Sequence, residues 1–237
     1  MSRVDSVWDQ IGGLVTPVHS DGHKFILAGA VATVVLGLLW TPLGWLGALF
    51  TVFCVGFFRD PPRVSPVREG LLLAAADGLI TSIDKVRPPM ELGLGSDERI
   101  RIATRLTLFD VHINRAPVSG RVVRSVYVPG AFVGLANDKL SEDNERRAII
   151  IEMPGGRELA VVQIAGQLAR RIVTFTHEGD TIEAGMRFGL IRFGSRVDVY
   201  LPAGQTPLVA VGQRMVAGET VIADLASSER LRETRRS

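Results

Sequence analysis

Ser195 follows Gly194 inside Phe188-Gly189-Leu190-Ile191-Arg192-Phe193-Gly194-Ser195-Arg196-Val197-Asp198-Val199-Tyr200, where apolar and β-branched residues read as strand on both sides. Glycine permits backbone geometries closed to other residues and leaves its own carbonyl open to approach. The Ser195 hydroxyl can therefore attack the Gly194 carbonyl, an acyl transfer that replaces that peptide bond by an ester; a β-bulge or hairpin turn is the plain alternative. Such a nucleophile needs a base. His112 lies in Phe109-Asp110-Val111-His112-Ile113-Asn114-Arg115-Ala116-Pro117, and an extended stretch there projects Asp110, His112 and Asn114 to one face. An exposed edge strand gives the same pattern. Asp77, after three alanines and before Gly78, suits either a turn or a partly buried carboxylate that orients a histidine. His177, in Thr176-His177-Glu178-Gly179-Asp180, reads as a turn residue. Without paired histidines or a second cysteine beside Cys54, no metal site and no disulfide is expected. Nucleophile-elbow, P-loop and dinucleotide signatures are missing too.

The elements that must position these residues are strands. From Leu71 onward short apolar runs alternate with glycine and proline, predicting strands at 71–75, 78–84, 99–108, 120–128, 148–153, 159–164, 171–176, 187–193, 196–201 and 221–225. Helical turns are expected only at 138–147 and 165–170, and 86–98 reads as a lid or a surface loop. An internal repeat runs through the region. Gly179-Asp180-Thr181-Ile182-Glu183-Ala184-Gly185 matches Gly212-Gln213-Arg214-Met215-Val216-Ala217-Gly218, and the stretch from Ala116 to Val122 follows the manner of Ala76-Asp77-Gly78-Leu79-Ile80. The pattern resembles biotinyl/lipoyl-type barrel-sandwich domains. The expected class is mainly β (α+β), a barrel-sandwich-like domain over 61–237.

Ahead of it, no charged residue stands between Lys24 and Arg59, a run longer than the ~20 residues one span needs. Thr41-Pro42-Leu43-Gly44 predicts a turn in its middle. Residues 1–60 therefore read as a helical hairpin, apolar over 25–58, that dips into or crosses a bilayer. Lys24, Arg59, Arg63 and Arg68 place its flanks on the cytoplasmic side of the cell membrane. The 27 basic and 25 acidic residues are nearly balanced and scattered, which argues against a nucleic-acid partner.

Ala76-Asp77-Gly78, the stretch from Phe109 to Pro117, Asp143-Asn144-Glu145-Arg146, Gln163-Ile164-Ala165-Gly166 with Ala169-Arg170-Arg171-Ile172-Val173, and Phe188 to Ser195 occur in this order. Together they resemble the short, bacterial and archaeal branch of the phosphatidylserine decarboxylase family, from about Arg59 to Asp224 and including the apolar hairpin. The resemblance implies a lyase made from a zymogen by autocatalytic cleavage. Ser195 attacks Gly194, and elimination leaves a β chain of 1–194 and an α chain of 195–237 that begins with a pyruvoyl cofactor derived from Ser195. The pyruvoyl group forms a Schiff base with the serine headgroup of a phospholipid and accepts the electrons released with CO2, leaving an ethanolamine lipid. It further implies an αβ heterodimer, paired in turn into a dimer, and a place in phospholipid biosynthesis at the membrane.

In long members of the family an Asp-x-His-x-x-His-x-Pro pattern carries a second histidine, linked with an aspartate to activation of the self-cleaving serine. Here Arg115 stands in its place. His112 matches the first histidine, linked to decarboxylation, and Asp77 the aspartate. The expectation is that His112, or Asp77 directly, serves both steps, with Arg115 and Asn114 binding substrate. Two readings compete: a non-enzymatic, membrane-anchored barrel-sandwich adaptor, which leaves Asp77, His112 and Gly194-Ser195 unexplained, and a metal-dependent barrel peptidase, disfavoured by the missing histidine pair.

Overall fold

The computed structural model describes residues 16–130, 144–166, 171–192, 195–227 and 229, with Ser195 described by its backbone alone. The chain divides into two compact units, Met1–Pro62 and Arg63–Ser237.

The first unit is a pair of helices, α1 (Ser20–Leu39) and α2 (Thr41–Phe57). The break falls on Trp40, which is extended, and not on the four residues after it. Thr41-Pro42-Leu43-Gly44 starts α2 because proline is accepted in a first helical turn, where its missing N–H is not needed. The helices approach closely through small residues. A Cβ on Gly47 would come within 2.7 Å of the Thr33 Cα, the kind of contact that lets apolar helices pack without a hydrophobic drive. The ends are tied together: Asp60 N–H donates to Pro17 (2.7 Å) and His19 N–H to Phe58 (2.9 Å). At 20 residues α1 is long and apolar enough to cross a membrane, spanning about 30 Å at 1.5 Å per residue. Cys54 is buried as a small hydrophobe.

The second unit is β. Its strands are β1 (Leu71–Leu73), β2 (Gly78–Val86), β3 (Arg99–Leu106), β4 (Ile113–Arg115), β5 (Gly120–Val128), β6 (Arg146–Glu152), β7 (Glu158–Ala165), β8 (Ile172–Thr174), β9 (Thr181–Ile182), β10 (Arg187–Ile191), β11 (Ser195–Tyr200), β12 (Arg214–Met215) and β13 (Val221–Asp224). A curled eight-stranded sheet runs β12-β2-β3-β11-β7-β6-β5-β9, beside the sheets β4-β10-β8 and β1-β13. Mainly β with a barrel-sandwich-like arrangement is the expected class.

The large sheet is covered on both faces. Ile149, Ile151, Leu159, Val161, Val197 and Val199 join the main core, while Ala148, Ile150, Ala160, Val162, Ile164 and Tyr200 face a second cluster with Leu92 and Leu94. Burial on both faces explains why 148–151 of β6 and 159–162 of β7 read as unbroken apolar runs. The segment 87–98 is thus a cover over the second face, with a 3-10 turn at Met90–Leu92 and two buried leucines. The helical expectations fare differently. Within 138–147, Arg146 and Arg147 begin β6, where pairing with Val128, Tyr127, Ile164 and Gln163 outweighs local helical preference; 138–143 lies outside the described residues. Ala165 closes β7, and 167–170 is likewise outside them.

The repeat is built into hydrogen bonds. Gly218 N–H donates to Ala74 and Gly185 N–H to Ala116, both at 2.8 Å. Gly212 donates to Ile80 as Gly179 does to Val122, and Ile80 to Gln213 as Val122 to Asp180. At the centre Ala217 N–H donates to Asp77 Oδ1 (2.8 Å), matched by Ala184 N–H to Ser119 Oγ (2.9 Å). Asp77 and Ser119 do the same backbone task in the two copies.

Candidate active site

Ser195 and Asp77 stand at one end of the large sheet, while His112, Asn114 and Arg115 lie at or in β4 of the three-stranded sheet. β11 lies between β3 and β7, and its first residue, Ser195, pairs by its backbone with Leu106 and Ala165. On the far side of β3, Gly78 enters β2 against the Arg105 carbonyl, so close that any Cβ would fall well inside the 3.0 Å that real Cβ contacts keep. Asp77 and Ser195 thus lie at the starts of the two strands that flank the end of β3, where Leu79, Arg105 and Arg196 pair in one row. The partner of the serine, Gly194, lies outside the described residues.

After β3 the chain does not continue as strand to Asp110. Thr107 turns it, donating from both N–H and Oγ1 to Asp110 Oδ2 at 2.7 Å, while Arg214 binds Oδ1. Aspartate accepting bonds from nearby backbone is a turn former, so Asp110 belongs to the turn and the extended stretch is only Ile113–Arg115. His112 stands between turn and strand, fully buried, and donates from Nδ1 to the Asp110 carbonyl at 2.9 Å. A carbonyl only accepts, so Nδ1 carries a proton, and a neutral ring in this arrangement has its lone pair on Nε2. The His112 carbonyl accepts from Ile191 N–H at the end of β10, three residues before Gly194.

Asn114 is fully buried and pairs across β10 with Gly189. Gln163 Nε2 donates to its Oδ1 at 2.7 Å, and its Nδ2 has no hydrogen-bond partner among the described residues. A buried amide donor left over beside β10 is able to bind a polar group. Arg115, also buried, donates from Nη1 to the Gly185 carbonyl at 2.9 Å, and its Cδ lies against Gly218. Its cation therefore sits at the meeting point of the two repeat copies.

Asp77 is nearly buried and accepts from Arg63 Nη2 at 2.8 Å through Oδ2. Burial pushes its carboxyl above the usual aspartate range, and the charge of Asp110 adds to this; the Ala217 N–H and Arg63 act against it. Arg63 reads in the sequence as a flanking positive charge, and Gln163 as part of a motif without a stated role. Setting the two repeat copies side by side is the signal that finds Arg63, since Asp77 stands opposite a neutral Ser119. A cavity of about 400 Å³ on the second sheet face, lined by Arg101, Arg146, Asp198 and Tyr200 among others, contains none of Asp77, His112, Asn114 or Arg115.

The model of the phosphatidylserine decarboxylase family matches residues 50–223. The chain belongs to the phosphatidylserine decarboxylase family. It is 52% identical over 215 residues to the phosphatidylserine decarboxylase proenzyme of Nitrobacter winogradskyi, covering 91% of this chain and 87% of that one. To the proenzymes of Ruegeria pomeroyi and Cereibacter sphaeroides it is 54% and 50% identical, over 88% and 93% of this chain and 95% of each relative. Membership and fold agree with a decarboxylase made as a proenzyme, and the adaptor and peptidase readings fall away.

Proposed function

We propose that this protein decarboxylates phosphatidylserine, or a related serine phospholipid, to phosphatidylethanolamine and CO2 after cutting itself between Gly194 and Ser195. What supports the reading is the row Leu79–Arg105–Arg196–Ile164 across four neighbouring strands, one residue in from Gly78 and Ser195, so that Asp77, which precedes Gly78, and Ser195 belong to the same end of the sheet.

In the self-cleavage, His112 Nε2 takes the Ser195 hydroxyl proton as Oγ attacks the Gly194 carbonyl carbon; the peptide nitrogen leaves and accepts a proton. Loss of the α-proton of residue 195 then breaks the Cβ–Oγ bond and frees Gly194 as a carboxylate. One water enters and one ammonia departs, which turns residue 195 into the pyruvoyl group. Asp77 supplies the negative charge that stabilises the imidazolium formed on the way. The residues present fit such a group: a buried histidine with a set tautomer, a buried amide donor on Asn114, and a cation on Arg115. The group supplies a carbonyl conjugated to a second one, able to take up the electron pair released with CO2. Asn114 binds a polar atom of the headgroup, Arg115 contributes positive potential for its anions, and His112 returns a proton to the substrate carbon.

The two products stay together. β11, β12 and β13 all follow the cut, yet β11 is hydrogen-bonded along its length to β3 and β7 on the other side of it. The mature enzyme is therefore an αβ heterodimer held by a shared sheet, and a dimer of these is the expected assembly. The apolar helices keep it at the membrane, with the basic flanks on the cytoplasmic side. Incubating the purified chain with phosphatidylserine vesicles tests this: phosphatidylethanolamine and CO2 form with the native chain and not with Ser195→Ala. Equal turnover by Ser195→Ala would overturn it.

A further inference from the structure

The internal repeat supplies a comparison within one molecule. Asp77 and Ser119 occupy the same place in the two copies, each accepting one backbone N–H, from Ala217 and Ala184. A neutral hydroxyl is sufficient for that task, as Ser119 shows. Asp77 differs in having a second oxygen and a charge, and the fold uses neither within the repeat. Both are taken by Arg63, the first residue of the second unit, whose Nη2 donates to Oδ2 at 2.8 Å. Arg63 belongs to a strap that is anchored without it. Val64 N–H donates to Glu219 Oε1 at 3.0 Å, and Ser65 packs against Gly185 and Gly218 at the centre of the repeat.

We propose that Arg63 is a positioning residue for self-cleavage: it fixes the second carboxylate oxygen of Asp77, an oxygen the fold itself does not need. This rests on the reading above in which Asp77 acts in the cleavage. The charged groups facing Asp77 are Arg63 from the strap and Asp110 from the turn after β3, with Arg214 of β12 held on Asp110. Asp110 and burial both favour the protonated carboxyl, and Arg63 alone among these cations touches it directly. Without Arg63 the carboxyl is free to turn and is protonated at a higher pH.

The test uses full-length chains made by cell-free translation onto phosphatidylglycerol-containing vesicles, with cleavage followed by pulse-chase on denaturing gels across pH. Asp77→Ser copies the Ser119 arrangement, so it folds, as thermal unfolding reports, and cleaves far more slowly. Arg63→Met slows cleavage at neutral pH about tenfold and moves the acid limb of the rate profile upward, while Arg63→Lys restores most of the rate. In the Asp77→Ser background, Arg63→Met has no further effect, because its partner is already gone. An equal slowing by Arg63→Met in both backgrounds, or none in the native one, overturns the role of Arg63. Native-rate cleavage by Asp77→Ser overturns the earlier reading of Asp77 instead.

Discussion

Gly78 sets the approach of Asp77 to the sheet, and replacing it by alanine tests that arrangement against an internal control. Its φ of +146° is a conformation that side chains rarely adopt, and a Cβ there would collide with the Arg105 carbonyl. Its repeat counterpart, Gly120, meets the Glu152 carbonyl just as closely but without a positive φ. Forcing a methyl into such contacts costs about 1–3 kcal/mol, so Gly120→Ala is expected to lose that much. Gly78→Ala adds about 1–3 kcal/mol for the strained φ, for a total of about 2–6 kcal/mol. Gly95→Ala, with a φ of +80° and open space around it, is expected to lose only about 1–2 kcal/mol. Urea unfolding in detergent, in a Ser195→Ala background that keeps the chain intact, measures all three. Hydrogen exchange of the β2 and β3 amides locates the damage. In the native background, at a temperature where each variant is folded, Gly78→Ala slows cleavage and Gly120→Ala does not. A Gly78→Ala chain as stable as Gly95→Ala, or one that cleaves at the native rate, would refute the reasoning.

Other outcomes follow from single contacts. His112→Ala is expected to lower decarboxylation about 10²–10⁴-fold, the usual worth of a positioned acid–base group; normal processing and turnover would remove His112 from the mechanism. Gln163→Ala leaves the buried Asn114 Oδ1 without its donor, and urea unfolding should show a loss of about 1–3 kcal/mol. Arg196 and Asp198 form a buried ion pair at 2.6 Å on the second sheet face, so Arg196→Met strands a carboxylate and should cost about 3–5 kcal/mol in the same assay. Burial, with the charge of Asp198, pushes the Tyr200 phenol up to about 12. The native state holds that proton more tightly than the unfolded chain, so stability is full below the unfolded value and is lost as pH rises through about 10 to 12. Tyr200→Phe should flatten that decline in the urea midpoint.

The fold was readable where local pattern and tertiary role coincide. The runs at 120–128 and 159–164 appear as strands because both are apolar enough to be recognised alone. The paired glycines at 179/185 and 212/218 exposed the repeat, since each takes a positive φ that glycine accommodates. What escaped were the two-residue strands β9 and β12, too short to show any period and held only by their partners, while the extended stretch expected from Asp110 survives only as β4, Ile113–Arg115. The trimming of 99–108 to end at Leu106 has a local cause, the Thr107–Asp110 bonds, which an alternating pattern does not reveal. At the site, Asp77, His112 and Asn114 were visible by type and spacing. Arg63 and Gln163 are bonded to Asp77 and Asn114, 14 and 49 residues away along the chain, and no local signal marks a partner at that distance.

Intact-mass measurement of the purified protein under denaturing conditions tests the central claim most directly. Two chains are predicted, divided after Gly194, with the smaller one blocked at its N-terminus and lighter by one ammonia than a chain beginning at serine. A single intact chain, or a smaller chain with a free serine amine, would contradict the account.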